Sequence, residues 1–210
     1  MAAETNRSMA SRGESGYVWD AFISYRREPP GQDLITPWLR EVVHRVRYWL
    51  SEELGGRPAR VFFDAGSLDV GVNWPDQLRQ ALLTSSCLVP VLSPQYFQSR
   101  WCLAEFGSFL ERSRTVPPYH TPIILPLVLH GAKWFPPEAQ RIQQLDLSRH
   151  VGTVAAFWQT ARADELDQLL QMFASQLARA VLEAPPFRPD WPLVEPEPGD
   201  LPRRFPMGQL

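Results

Sequence analysis

Val18-Trp19-Asp20-Ala21-Phe22-Ile23-Ser24-Tyr25 is followed at once by Arg26-Arg27. A short apolar run that ends abruptly in charge reads as a β-strand whose carboxyl end meets solvent. Beyond the arginines the apolar period changes. Leu34, Trp38, Leu39, Val42, Val43, Val46, Leu50 and Leu54 recur at helical spacing, and Gly55-Gly56 stops that helix. Residues 59–63 form a second strand ending at Asp64, and a polar loop covers residues 65–73. Pro75 suits the first turn of a helix carrying Leu78, Ala81 and Leu82. Cys87-Leu88-Val89-Pro90-Val91-Leu92 is a third strand.

The alternation continues. Ser93-Pro94 opens a connection, and residues 101–112 read as a helix. Residues 122–129 make a fourth strand, with prolines that imply irregularity. Residues 131–150 form a long connection with a helical turn at 137–144, and residues 153–157 a short fifth strand. Residues 164–182 are a final amphipathic helix, with Leu166, Leu169, Leu170, Phe173, Leu177 and Val181 on one face. Strands alternating with helices imply a parallel sheet covered on both faces. Such α/β folds bind ligands outside the carboxyl ends of their strands. Three places therefore matter: residues 24–27, 64–74 and 93–105.

The flanks differ from this domain, which spans residues 17–183. Residues 1–16 are small and polar, a disordered tail by composition, with no apolar stretch able to act as a signal peptide. Residues 184–210 are proline-rich and therefore extended, and Phe187, Trp191 and Phe205 suggest that parts pack back onto the domain. A net charge of −2 gives no global pull toward nucleic acid or an anionic membrane. No apolar run is long enough to span a bilayer. The two cysteines, Cys87 and Cys102, both sit in apolar contexts, which fits free thiols in a reducing cytoplasm. His44, His120, His130 and His150 show no metal-ligand spacing, and there is no G-x-G-x-x-G or P-loop.

Three segments together resemble the TIR (Toll/interleukin-1 receptor) domain family, in its bacterial NAD+-cleaving form. They are Asp20-Ala21-Phe22-Ile23-Ser24-Tyr25-Arg26-Arg27; Val61-Phe62-Phe63-Asp64 with Ser67-Leu68, Gly71 and Trp74; and Val89-Pro90-Val91-Leu92-Ser93-Pro94 with Tyr96, Ser99, Trp101-Cys102 and Glu105. The resemblance implies a flavodoxin-like five-stranded parallel sheet, in the order 2-1-3-4-5, with helices on both faces. It implies an NAD+ glycohydrolase that releases nicotinamide and ADP-ribose or a cyclic isomer. NAD+ is then a substrate, and no cofactor or metal is expected. It further implies an antiphage or cell-death effector, active as a homo-oligomer or filament and triggered by a sensor protein or a nucleotide messenger. The alternative is a TIR adaptor without activity, acting only through TIR–TIR association. A nucleoside deoxyribosyltransferase shares the architecture, but the TIR-like loop between strands two and three speaks against it.

The same resemblance assigns the residues. Glu105 is the catalytic carboxylate. Trp101 lies four residues earlier and shares its helical face, shaping an apolar wall. Read by itself, Glu105 is an ordinary solvated helix residue; the surrounding motif is what singles it out. Tyr25 is expected to line the nicotinamide pocket, and Arg26 or Arg27 to contact the pyrophosphate. Adjacent side chains rarely face one site, so one arginine of the two is expected there. The inserted Glu28-Pro29-Pro30-Gly31-Gln32 leaves open which. Ser93 either bonds a ribose or the Glu105 carboxylate, or simply starts the Ser-Pro turn. Asp64 is expected to hydrogen-bond the loop or cap its turn. Leu68, Gly66, Gly71 and Trp74 belong to a loop that acts as a lid or an assembly surface.

Overall fold

The computed structural model describes residues 16–28, 33–64, 74–117 and 121–196. Five strands, β1 (Trp19–Tyr25), β2 (Val61–Phe62), β3 (Ser85–Leu92), β4 (Leu127–Val128) and β5 (Leu145–Asp146), form one sheet in the order β2-β1-β3-β4-β5. Every pairing is parallel. The helices are α1 (Thr36–Glu53), α2 (Trp74–Leu83), α3 (Arg100–Thr115), the short α4 (Pro137–Gln140) and α5 (Ala161–Leu182). This is the flavodoxin-like order that the TIR resemblance implies.

The central strand explains the layering. All eight residues of β3 are buried. Successive side chains on a strand point to opposite faces. Cys87, Val89 and Val91 enter one cluster with α1 and α5, through Trp38, Val42, Val46, Leu166, Leu170 and Leu177. Leu88 and Leu92 enter the other, with Leu78 and Leu82 of α2 and Phe106 and Phe109 of α3. β1 follows the same rule: Ala21 and Ile23 face the first cluster and Phe22 the second. Gly55 and Gly56 end α1 with φ of 77° and 83°, a left-handed conformation that glycine takes without penalty.

The far edge departs from the sequence reading. The fifth strand is Leu145–Asp146, not residues 153–157. Leu145 N–H donates to Pro126 O at 2.9 Å, and Leu147, just beyond the strand, is fully buried. Residues Ala155–Gln159 instead wind into a 3₁₀ helix closed by Phe157 N–H to Val154 O at 3.0 Å. Ala155 and Ala156 lack the β-branched bulk that favours a strand, and Phe157 is buried from a helical turn as well as it would be from a strand. β4 shrinks to two residues, with a lone bridge from Leu88 to Ile124. Pro122 and Pro126 supply no N–H to the ladder.

The proline-rich segment packs back as expected, through two of the three aromatics named; Phe205 lies outside the described residues. Phe187 meets the Tyr17 ring edge-on at 5.3 Å, and Tyr17 donates to Pro185 O at 3.1 Å. Trp191 is buried over Arg112, 5.0 Å from its guanidinium, and the Phe109 ring lies 4.1 Å from the same group. Arg112 is itself wholly buried and donates to Ser85 O at 2.7 Å and Leu82 O at 3.2 Å, tying α3 to the end of α2. Burial pulls its pKa down to about 10, so it stays charged at neutral pH. Among the described residues, no helix is long and apolar enough to cross a membrane.

Trp191→Ala removes this cover and opens a hole beside a buried cation. The expected loss is about 3 kcal/mol in urea unfolding. An unchanged midpoint would show that the segment adds nothing to the core.

Candidate functional site

Parallel pairing brings the carboxyl ends of β1 and β2 together, beside the start of α3. The three exits enclose a cleft of about 360 Å³. From β1 come Tyr25, Arg26 and Arg27; from β2, Phe62 and Asp64; from α3 and its approach, Gln98, Ser99, Arg100, Trp101 and Glu105. The start of α3 is built by Ser99, whose backbone is extended and whose Oγ accepts from Cys102 N–H at 3.4 Å. That N-cap satisfies one of the helix's otherwise unpaired N–H groups. Trp101 then falls in the first turn and Glu105 in the second, on one face, as the spacing predicts.

Glu105 is only 8% exposed although it lines the cleft. Ser24 Oγ donates to its Oε2 at 2.5 Å, and Tyr96 Oη lies 2.6 Å from Ser24 Oγ. Burial pushes the Glu105 carboxyl up to about 7; the Ser24 hydrogen bond and Arg27 oppose the rise, and Asp64 adds to it. Desolvation disfavours the charged form, and here it outweighs one donor and one nearby cation.

The rim is held by a second set of contacts. Tyr25 donates through its hydroxyl to Asp64 O at 2.8 Å, and its ring tilts against Phe63 at 5.1 Å. Arg27 donates to the same carbonyl at 3.0 Å and pairs with the Asp64 carboxylate. Arg26 lies 3.7 Å from the Glu28 carboxylate. Both arginines line the cleft, where one was expected. Asp64 ties the β2 exit to the β1 exit; the loop it is expected to bond or cap lies outside the described residues.

Ser93 is not brought to the cleft. Its Oγ accepts from Tyr96 N–H at 3.2 Å, so it starts the Ser-Pro turn, the second of its two expected roles. Ser24 takes the place beside Glu105 instead. The sequence motifs give Ser24 no role of its own, yet its alternation with Phe22 puts it on the α3 side of β1. Tyr96 and Arg100 likewise gain their places only in the fold. Leu68, Gly66 and Gly71 lie outside the described residues, and Trp74 is the first residue of α2. Cys87 and Cys102 are buried and unbridged, with burial pushing both thiols up, which argues against a thiolate nucleophile.

The family model for the TIR domain matches residues 22–170, and the parallel sheet in the order β2-β1-β3-β4-β5 is consistent with it. The chain belongs to the TIR domain family. No curated protein matches it. Within this TIR domain the match runs from Phe22, in β1, to Leu170, in α5, and so takes in all the cleft residues named above.

A buried carboxyl of raised pKa has a consequence for stability. Its ordinary value is 4.5 and its folded value about 7, so between those limits the folded TIR domain binds more protons than the unfolded chain. Stability therefore falls as pH rises through that window and levels off above it. Glu105→Gln keeps an acceptor for Ser24 but carries no charge. Its stability relative to wild type should be near zero at pH 4 and rise to as much as about 3 kcal/mol at pH 8, read from denaturation at each pH. A difference that does not change with pH would contradict the burial of an ionisable group here.

Proposed function

We propose that this TIR domain cleaves the bond between nicotinamide and ribose in NAD+, with Glu105 stabilising the transition state. One observation carries the reading: a carboxylate is buried and hydrogen-bonded at the wall of a cleft that also holds arginines and aromatic rings. The leaving group is a pyridinium, which departs as neutral nicotinamide and needs no proton. The ribose left behind gains positive, oxocarbenium character. One carboxylate placed beside it suffices, unlike ordinary glycoside hydrolysis with its two. The low-polarity surroundings that raise the pKa of Glu105 also strengthen its pull on a nearby cation.

Trp101 and Tyr25 offer surfaces for the nicotinamide ring, and Arg26 and Arg27 give charge for the pyrophosphate. Arg27 is held by both the carbonyl and the carboxylate of Asp64, whereas Arg26 meets the Glu28 carboxylate at the longer distance of 3.7 Å, so Arg26 is the better placed of the two for a ligand anion. Water attack on the ribose gives ADP-ribose; attack by the adenine gives a cyclic isomer. TIR domains commonly self-associate, and turnover is expected to rise with protein concentration. In a cell, such turnover would drain NAD+, the role of a cell-death or antiphage effector.

The test is chromatography of NAD+ incubated with concentrated protein. Nicotinamide should appear together with ADP-ribose or its cyclic form, and Glu105→Gln should lower the rate by roughly 10²–10³. The ionised carboxylate is the active form, so kcat/KM should rise with pH through about 7 and flatten above. No release of nicotinamide in any assembled state, or equal release by Glu105→Gln, would leave the TIR adaptor as the reading.

A further inference from the structure

Two hydroxyls stand behind Glu105 with no outlet to solvent. Ser24 is 1% exposed and Tyr96 0%. A buried hydroxyl needs a partner for its hydrogen, and these two have each other and the carboxylate. An ionised carboxylate only accepts, so Ser24 gives its single hydrogen to Glu105 Oε2. The Tyr96–Ser24 bond must then run the other way, from the phenol O–H to the Ser24 oxygen. With Glu105 ionised the chain Tyr96→Ser24→Glu105 is strongest, because its acceptor is charged. A proton on Oε2 would reverse the chain and leave the phenol hydrogen without a place, so protonation falls on Oε1 and leaves Ser24 with a weaker, neutral acceptor.

Accordingly, and resting on the NAD+ reading above, we infer that Ser24 and Tyr96 are positioning residues acting in series on Oε2 of Glu105, leaving Oε1 as the oxygen presented to the ribose in the cleft. Each is set by a different element. Ser24 is in β1, paired in register with Pro90 of β3. Tyr96 opens the 3₁₀ turn Tyr96–Gln98, its N–H held by Ser93 and its ring packed edge-on against Phe97 and Phe106. A rigid tyrosine sets the serine, and the serine sets the carboxylate rotamer. Hydrogen bonds in such a chain polarise one another and favour the charged end. The charged groups acting on Glu105 are Arg27 at the end of β1 and Asp64 after β2, of opposite effect. The neighbouring titratable groups are the Tyr96 phenol and the Cys102 thiol, both raised by burial and so neutral.

The test is a kinetic cycle on the full chain: wild type, Ser24→Ala, Tyr96→Phe and the double variant, followed by nicotinamide release across pH. Ser24→Ala should lower kcat about ten- to a hundredfold, with KM for NAD+ changed by less than about threefold. Tyr96→Phe removes one atom, keeps the ring packing, and should lower kcat about three- to tenfold. Both should move the acid limb of the pH profile upward, because each weakens a bond to the ionised form. The double variant should match Ser24→Ala alone, because Tyr96 acts only through Ser24. Additive losses, or an acid limb that stays in place, would overturn the inference. If wild type releases no nicotinamide, the NAD+ reading fails by itself. The relay is then read from the ¹³C resonance of the Glu105 carboxyl: an upward titration shift in both single variants supports it, and an unmoved titration overturns it.

Discussion

The parallel pairing of β1 with β3, from Trp19 opposite Ser85 to Tyr25 opposite Val91, is the constraint on which the site depends. Both strands are buried on both faces, so a one-residue slip would turn Phe22 and Ser24 away from α3 and drive Ile23 toward it. The register thus does two things. It sorts apolar side chains between the two core clusters, and it delivers Ser24 to the foot of α3. Asp20 anchors the opposite end of β1. It is almost wholly buried, yet bidentate contacts from Arg57 at 2.8 Å and the N–H of Arg60 at 2.8 Å overcome the effect of burial and hold its carboxyl below the ordinary range.

Two buried carboxylates in one strand-and-helix layer therefore have opposite fates. Asp20 is given more donors than burial takes away, and it stays firmly ionised. Glu105 is given one hydroxyl and a distant share of Arg27, and its proton affinity rises. The first arrangement supports folding; the second weakens it above neutral pH. Strain of that kind persists where a site needs a poorly solvated charge. The TIR fold supplies the apolar surroundings, and the β1 exit supplies a close donor to that carboxylate through Ser24.

Much of this is legible in the sequence, and the reasons differ by element. α1 and α5 show long helical periodicity, and β1 and β3 are centred on the short apolar runs Ala21-Phe22-Ile23 and Cys87-Leu88-Val89-Pro90-Val91-Leu92, so their limits differ from the sequence pattern by only a few residues. The fifth strand is misplaced by sequence because Leu145-Asp146-Leu147 carries only two apolar residues, whereas 153–157 holds the longer apolar stretch, and strand periodicity over so few residues does not decide between them. Glu105, Trp101, Tyr25 and the two arginines belong to motifs carried by chain-local patterns, and all line one cleft. Ser93 is misleading for the same reason: it is near Glu105 along the chain, whereas Ser24, 81 residues away, is near it in space. A hydrogen bond between a strand end and a helix face depends on tertiary approach, which no local pattern records. The Trp191 cover over Arg112 shows in the sequence only as aromatic residues in a proline-rich segment; the cation beneath it does not show at all.

Glu105 should face the nicotinamide ribose at the strand ends. A crystal structure of the protein with an NAD+ analogue whose ribose ring oxygen is replaced by a methylene, and which therefore resists cleavage, tests this directly. The expected result places a hydroxyl of the nicotinamide ribose about 3 Å from the Glu105 carboxylate, with the pyrophosphate on the Arg26 side of the cleft. An analogue bound away from the β1 exit, or with that ribose turned from Glu105, would contradict the NAD+ reading.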